Sequence, residues 1–153
     1  MGDTMREFLL AFLGSFTGAI LFNIERYNLF WAGLCGGIAW AIYKFLVLFS
    51  GRAIYATFIA AVFVGLYSEV MARRLKTPAY VFSLPGIYPL VPGIMAFDTI
   101  NLLTFGKLEE GINKGIETAA TAGAIAFGIL LASNFYQVLD KLISETLNKK
   151  TKK

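Results

Sequence analysis

Residues 68–103 read SEVMARRLKTPAYVFSLPGIYPLVPGIMAFDTINLL, and this stretch decides how the rest of the chain can fold. It lies between long apolar segments and contains all four prolines of the protein: Pro78, Pro85, Pro89 and Pro92. The last three fall within eight residues. They cannot continue one regular helix, because each proline removes a backbone donor and crowds the preceding turn. The sequence therefore predicts a proline-broken helix or a re-entrant segment near residues 78–93.

The composition indicates a membrane protein. Hydrophobic residues make up 57% of the 153 residues and charged residues only 16%, which is too apolar for an ordinary soluble domain. At this length we expect one membrane domain over residues 1–153. There is no histidine and a single cysteine, Cys35, which excludes an intrachain disulfide and a Cys/His metal site. We expect no metal and no cofactor.

Hydropathy predicts about five transmembrane helices, since a spanning helix needs about 17–25 mostly apolar residues. The predicted spans are residues 8–24, 29–49, 54–71, 89–105 and 118–136. The polar stretch GKLEEGINKGIE at residues 106–117 is predicted to connect the last two. The predicted fold class is therefore an all-α integral membrane protein. A four-span version, in which the first segment lies on the membrane surface, stays open.

The loop charges predict the orientation. With the N-terminus outside, nine lysines and arginines fall on the inner side and four on the outer side, and Lys44 lies within the second span. Positive charge collects on the cytoplasmic side of membrane proteins, so we expect the N-terminus outside and the C-terminus in the cytoplasm. Residues 137–153 are predicted to form an amphipathic helix with a basic tail, because apolar residues recur there at helical spacing. The expected location is the cell (inner) membrane.

Asp98 is the first candidate for coupling ions or protons, because an ionisable group within a span is expensive to keep there. Asn101 lies three residues further on and shares its helical face. The alternative for Asp98 is a buried polar partner or a wet position near the break. Glu69 and Arg73 are also coupling candidates, since their spacing suits an i,i+4 ion pair. Near the inner headgroups such a pair is more often an anchor at a helix end.

The break itself is a candidate substrate site. A helix that restarts after Pro92 presents free N–H groups and a positive dipole end, which suits a carboxylate. Backbone groups freed at membrane depth must be satisfied by protein or water, and in transporters such helix ends line substrate sites. The substrate-binding candidates are Pro85, Gly86, Pro89, Pro92, Gly93 and Asn101. The alternative is a structural kink or tight re-entrant turn with no ligand.

The broken region also carries a specific residue pattern. Its members are Ser68, Glu69, Ala72, Arg73, Lys76, Pro78, Val81 and Phe82, followed by the run PGIYPLVPG at residues 85–93. This pattern resembles the threonine/serine exporter family, and within it the small membrane subunit to which a bacterial succinate-exporter subunit also belongs. After the motif the family often has an aromatic and a small polar residue, where this chain has Phe97 and Asp98, and the acid at position 98 departs from that pattern. The resemblance therefore implies no role for Asp98.

The resemblance implies a secondary exporter of small carboxylate metabolites, either threonine and serine or a dicarboxylate such as succinate. The implied partners are a larger membrane subunit of the same family, the substrate and the lipid bilayer, with a homo-oligomer as an open alternative and no nucleic acid. A non-transporting membrane scaffold or assembly protein is the second hypothesis. An enzyme is not expected, because the sequence offers no histidine and no nucleophile–base pair.

Overall fold

The computed structural model describes the backbone of residues 2–151 and the side chains of residues 4–142 except residue 140. This part of the chain forms six α-helices and one turn of 3-10 helix, and it contains no strand. The helices are α1 Gly2–Leu21, α2 Arg26–Ser50, α3 Ala53–Leu75, α4 Tyr80–Ile87, α5 Gly93–Thr104 and α6 Leu108–Thr151. The 3-10 turn, Tyr88–Leu90, directly follows α4.

The helices confirm the predicted fold class. Within the described residues α1, α2, α3 and α6 are each long and apolar enough to cross a membrane. The bent pair Tyr80–Leu90 and Gly93–Thr104 makes a fifth candidate, with an angle of 51° between its two halves. The chain is thus an all-α, multi-pass membrane protein with four candidate spans, or five if the bent pair counts as one.

The polar stretch before the last span differs from the prediction. Residues 106–117 were expected to connect two spans, but α6 already begins at Leu108. The alternating charges form ion pairs along the helix, Lys107 with Glu110 at 3.4 Å and Lys114 with Glu117 at 3.0 Å. Pairs at this spacing support a helix whose surface reaches water. A charged stretch is therefore compatible with a helix that continues beyond the membrane.

The last helix is much longer than a membrane is thick. It has 44 residues, which corresponds to about 66 Å of helix, whereas the hydrocarbon core measures about 30 Å. The backbone of α6 is continuous through Thr151. The predicted amphipathic face and basic tail at residues 137–153 depend mainly on side chains beyond residue 142, which lie outside the described ones.

Small residues allow the spans to pack closely. A Cβ added at Gly36 on α2 would overlap the Ser15 side chain on α1, and one at Gly65 on α3 would lie 2.5 Å from the Cβ of Ala132 on α6. Lipid tails are as apolar as these side chains, so close packing holds such helices together. The chain turns between α2 and α3 at Gly51, which takes the left-handed conformation (φ 64°) that ends many helices.

The core places the helix break beside the middle of the neighbouring helices α2 and α3. Leu90, at the end of the 3-10 turn, packs in one buried cluster with Ala39 on α2 and Ala60 on α3. Ala39 is the central residue of the apolar stretch 29–49, and Ala60 lies close to the centre of 54–71. Leu90 thus belongs to the same buried cluster as residues near the middle of both apolar stretches, so the first half of the broken helix ends beside the middle of these helices.

Candidate functional site

The break is confined to two residues. Pro85 lies inside α4, and the helix continues past it before tightening into the 3-10 turn. Val91 then takes an extended conformation (φ −61°, ψ 128°). Proline pushes the residue before it out of the helical region, so Pro92 explains why the helix stops at Val91. α5 restarts at Gly93, with Pro92 at its N-cap position.

The first half of the broken helix is packed into the protein. Phe82 and Pro85 are fully buried. A Cβ added at Gly86 would lie 2.7 Å from Cys35 Sγ and 3.0 Å from a methyl group of Val64. Two of the predicted substrate-binding residues, Pro85 and Gly86, therefore contact α2 and α3 closely.

Pro89 borders a small cavity on the α1 side. The cavity measures about 200 Å³ and is lined by Glu7, Leu10, Ala11, Trp40 and Pro89. Glu7 also forms an ion pair with Lys44 of α2, at 3.0 Å between Nζ and Oε1. The sequence indicated only that Lys44 lies within the second span. Its pairing with Glu7 depends on the register between α1 and α2, which hydropathy does not reveal.

The second half of the broken helix is open. None of the residues of α5 is buried, and a Cβ added at Gly93 would meet nothing within 4 Å. α5 packs against the first turns of α6: the Thr99 and Thr118 hydroxyls lie 3.4 Å apart, and Gly111 abuts Leu103. The helix that carries Asp98 therefore has a protein neighbour on the α6 side and a large accessible surface elsewhere.

Asp98 and Asn101 line a cavity between α5 and α6. It has a volume of about 450 Å³, and its lining consists of Asp98, Asn101, Leu102, Phe105, Lys107 and Lys114. Asp98, Asn101 and Leu102 of α5 follow helical spacing and so share one face, and Phe105 directly follows the helix. Among the described residues no cation lies within 4.0 Å of the Asp98 carboxylate. The cavity thus combines a carboxylate outside any ion pair with two ammonium groups.

Sequence reasoning identified Asp98 and Asn101 as neighbours but missed both lysines of this cavity. The available signal was the alternation of charge at residues 106–117, which we interpreted as a connecting segment. In the structure this segment is the start of α6, and its helical spacing directs Lys114 toward α5.

Glu69 and Arg73 lie far from this cavity. The Arg73 guanidinium sits over the ring of Tyr136, 4.7 Å from its centroid, and so joins α3 to α6 by a cation–π contact. Tyr136 follows Thr118 by 18 residues, which is about 27 Å along the helix. The structure therefore brings Asp98 and Asn101 together and keeps Arg73 much further along α6.

The long apolar helices and the bent pair of α4 and α5 define a multi-pass membrane protein with one broken span or re-entrant segment. The chain matches the sequence profile of the family described as Threonine/Serine exporter, ThrE, over residues 7–135, and it belongs to that family. This confirms the resemblance seen in the proline-rich motif. The matched range includes the whole of the broken helix.

Two curated relatives give the extent of the similarity. The chain is 28% identical over 128 residues to the "Probable threonine/serine exporter" of Mycobacterium tuberculosis (strain ATCC 25618 / H37Rv), which covers 80% of this chain and 24% of the relative. It is 29% identical over 100 residues to the "Threonine/serine exporter" of Corynebacterium glutamicum, covering 65% of this chain and 20% of the relative. The chain thus spans no more than about a quarter of either relative's length. No solved structure matches it.

Proposed function

We propose that the chain acts as the small subunit of a secondary exporter of small carboxylate metabolites, in concert with a larger membrane subunit of the same family. The substrate class is threonine and serine or a dicarboxylate such as succinate. Membership of the threonine/serine exporter family supports export, and the names of the two relatives support an amino acid as cargo. A transporter role also agrees with the expectation that the chain is not an enzyme.

The observation that carries the proposal is the helix break between α4 and α5, beside the middle of the neighbouring helices. The Gly93 N–H donates to Val91 O at 2.8 Å, and the Ala96 N–H donates to Pro92 O at 3.0 Å. The amides of Ile94 and Met95 lie between them in the first turn of α5. The carbonyls four residues before them lie outside the helix, so these two amides have no partner within it. Such amides and the positive end of the helix dipole favour a carboxylate, which threonine, serine and succinate all have.

The open surface of α5 supports the need for a second subunit. Asp98 is only half-buried and Asn101 is exposed, although both belong to the interrupted span. Polar and charged groups at membrane depth normally face protein or water, because lipid offers them no partner. A larger subunit packed against α5 would supply that environment. Proton coupling through Asp98, or through Glu69 with Arg73, completes the working mechanism.

Transport assays with the purified components test the proposal. The full chain is produced together with a larger membrane protein of the family, and the complex is reconstituted in lipid vesicles. Counterflow is measured with radiolabelled L-threonine and with succinate, and vesicles that contain the larger protein alone serve as the control. We expect counterflow of at least one substrate only when both proteins are present.

A non-transporting scaffold is the second candidate, and the burial of Pro85 and Gly86 favours it, because these motif residues serve packing. In that case the two proteins would co-purify, but counterflow would proceed equally with and without this chain. No counterflow of either substrate by a stable complex would contradict export by the pair.

A further inference from the structure

We propose that the cavity between α5 and α6 binds an α-amino acid as its zwitterion, with Asp98 holding the ammonium group and Lys114 holding the carboxylate. The inference rests on the proposed export function and names the substrate class that this site selects. It adds a second binding site to the one proposed at the start of α5. The two sites are distinct, because Asp98 follows Gly93 by five residues, which is about 7.5 Å along the helix.

The Asp98 carboxylate is available for a cationic ligand. It lines the cavity and is half-buried. The two lysines that share the cavity are paired with glutamates of their own segment, and neither comes within 4.0 Å of Asp98. An ammonium group carries three donors and can therefore bridge a carboxylate and a neighbouring acceptor. The Asn101 side-chain oxygen, one helical turn from Asp98, is such an acceptor.

Lys114 retains donors for an anionic ligand. Its ammonium donates to Glu117 at 3.0 Å, and this pair is substantially exposed. One such bond uses one of three donors, and exposed ion pairs are weak, so the pair yields readily to a competing carboxylate. Lys107 stands at the same cavity with a longer contact of 3.4 Å to Glu110. The cavity thus offers opposite charges on its two helices.

The remaining lining fits a small amino acid. Leu102 and Phe105 give the cavity an apolar wall, and Asn101 supplies both a donor and an acceptor that can bind a side-chain hydroxyl. The volume of about 450 Å³ lies within the usual range of ligand sites. Threonine and serine therefore have a partner for each polar group of the cavity that we expect to bind the ligand: an ammonium for Asp98, a hydroxyl for Asn101 and a carboxylate for Lys114.

The same arrangement disfavours a dicarboxylate. Succinate could use Lys114 and Lys107, but it would bring negative charge toward Asp98 without a cation to neutralise it. Like charges brought together at a partly desolvated site oppose binding. The site therefore separates the two substrate classes that the sequence left open.

A series of ligands that differ by one charged group tests the assignment. Binding is measured to the full chain in lipid nanodiscs, alone and with the larger subunit, for L-threonine, L-threonine amide, 3-hydroxybutyrate and succinate. The amide lacks the carboxylate, and 3-hydroxybutyrate lacks the ammonium. We expect L-threonine to bind more tightly than the other three.

Two variants locate the charges. Asp98→Asn is expected to weaken the binding of L-threonine about tenfold or more, because the variant removes the partner of its ammonium group. The binding of 3-hydroxybutyrate, which has no ammonium group, is expected to stay unchanged. Lys114→Gln is expected to weaken the binding of L-threonine and of 3-hydroxybutyrate, but not the binding of L-threonine amide, which has no carboxylate. Glu109→Gln and Lys141→Gln, which make the same charge changes outside the cavity, are matched controls and should alter binding less than about twofold.

The outcomes separate this site from the export function. Equal losses for all four ligands in Asp98→Asn, or tighter binding of succinate than of L-threonine, would overturn the site. So would failure of the wild-type chain to bind L-threonine in either preparation. If threonine counterflow persists at wild-type rates in both variants, the export function stands and the site is wrong. If no substrate moves, the export function fails while the binding series still decides the site.

Discussion

The two halves of the broken helix share an apolar character but occupy different surroundings. In α4, Val81, Phe82, Pro85 and Gly86 are buried against α2 and α3, whereas α5 has no buried residue. The break at Val91 and Pro92 therefore separates a half that belongs to the core from a half with no buried residue. We propose that α4 fixes the position of the break, while α5 carries the groups that bind substrate and the larger subunit.

The largest contrast in stability is expected between substitutions of Phe82 in α4 and of Phe97 in α5. Phe82 is 0% exposed and Phe97 is 66% exposed. Phe82→Ala should destabilise the chain by roughly 3 kcal/mol, because it opens a cavity between packed helices. Phe97→Ala should leave the stability of the isolated chain almost unchanged and should instead weaken its association with the larger subunit. Thermal unfolding in detergent and quantitative co-purification measure the two effects. Equal destabilisation by both substitutions would remove the distinction between the halves.

A pair of glycines sharpens the comparison with a smaller change. Gly86→Ala places a Cβ 2.7 Å from Cys35 Sγ, and Gly93→Ala places one in open space. Forcing extra volume into a close-packed site typically costs about 1–3 kcal/mol, so we expect a lower melting temperature for Gly86→Ala. The free energy of unfolding of Gly93→Ala should lie within about half a kcal/mol of the wild-type value. A destabilised Gly93→Ala chain would show that the start of α5 is packed in solution.

The sequence predicts some features of the broken helix and not others, because some depend on neighbouring residues in the chain and others depend on packing between helices. The break could be predicted because Pro92 acts locally on Val91. The number of candidate spans, four or five, could be predicted because hydropathy measures suitability for lipid. The burial of Phe82 and the exposure of Phe97 could not, because a lipid-facing side and a protein-facing side are equally apolar. Lys114 was missed for another reason, since a charged segment with glycines is compatible with either a loop or the start of a helix.

The smallest effect on stability is expected at Asp98, which lies outside the core. Asp98→Asn should assemble with the larger subunit in normal amounts, since none of the residues in α5 is buried. With L-threonine supplied at a raised concentration to offset weaker binding, threonine-for-threonine exchange should persist, because it need not move a net proton. Export driven by a proton gradient should fail. The two modes are compared in the same vesicles. Normal gradient-driven export by Asp98→Asn would leave Glu69 as the remaining coupling candidate.

Labelling of single cysteines tests most directly whether α4 and α5 form one interrupted span. Lys76 precedes α4, Lys107 follows α5, and the wild-type chain, whose Cys35 is buried, is the control. An impermeant thiol reagent is added to intact cells that carry a cysteine at position 76, 107 or 150. If the broken helix crosses the membrane with the N-terminus outside, position 107 is labelled, while positions 76 and 150 are protected until the cells are opened. Labelling of positions 76 and 107 from the same side would show that the segment re-enters without crossing and would contradict the account.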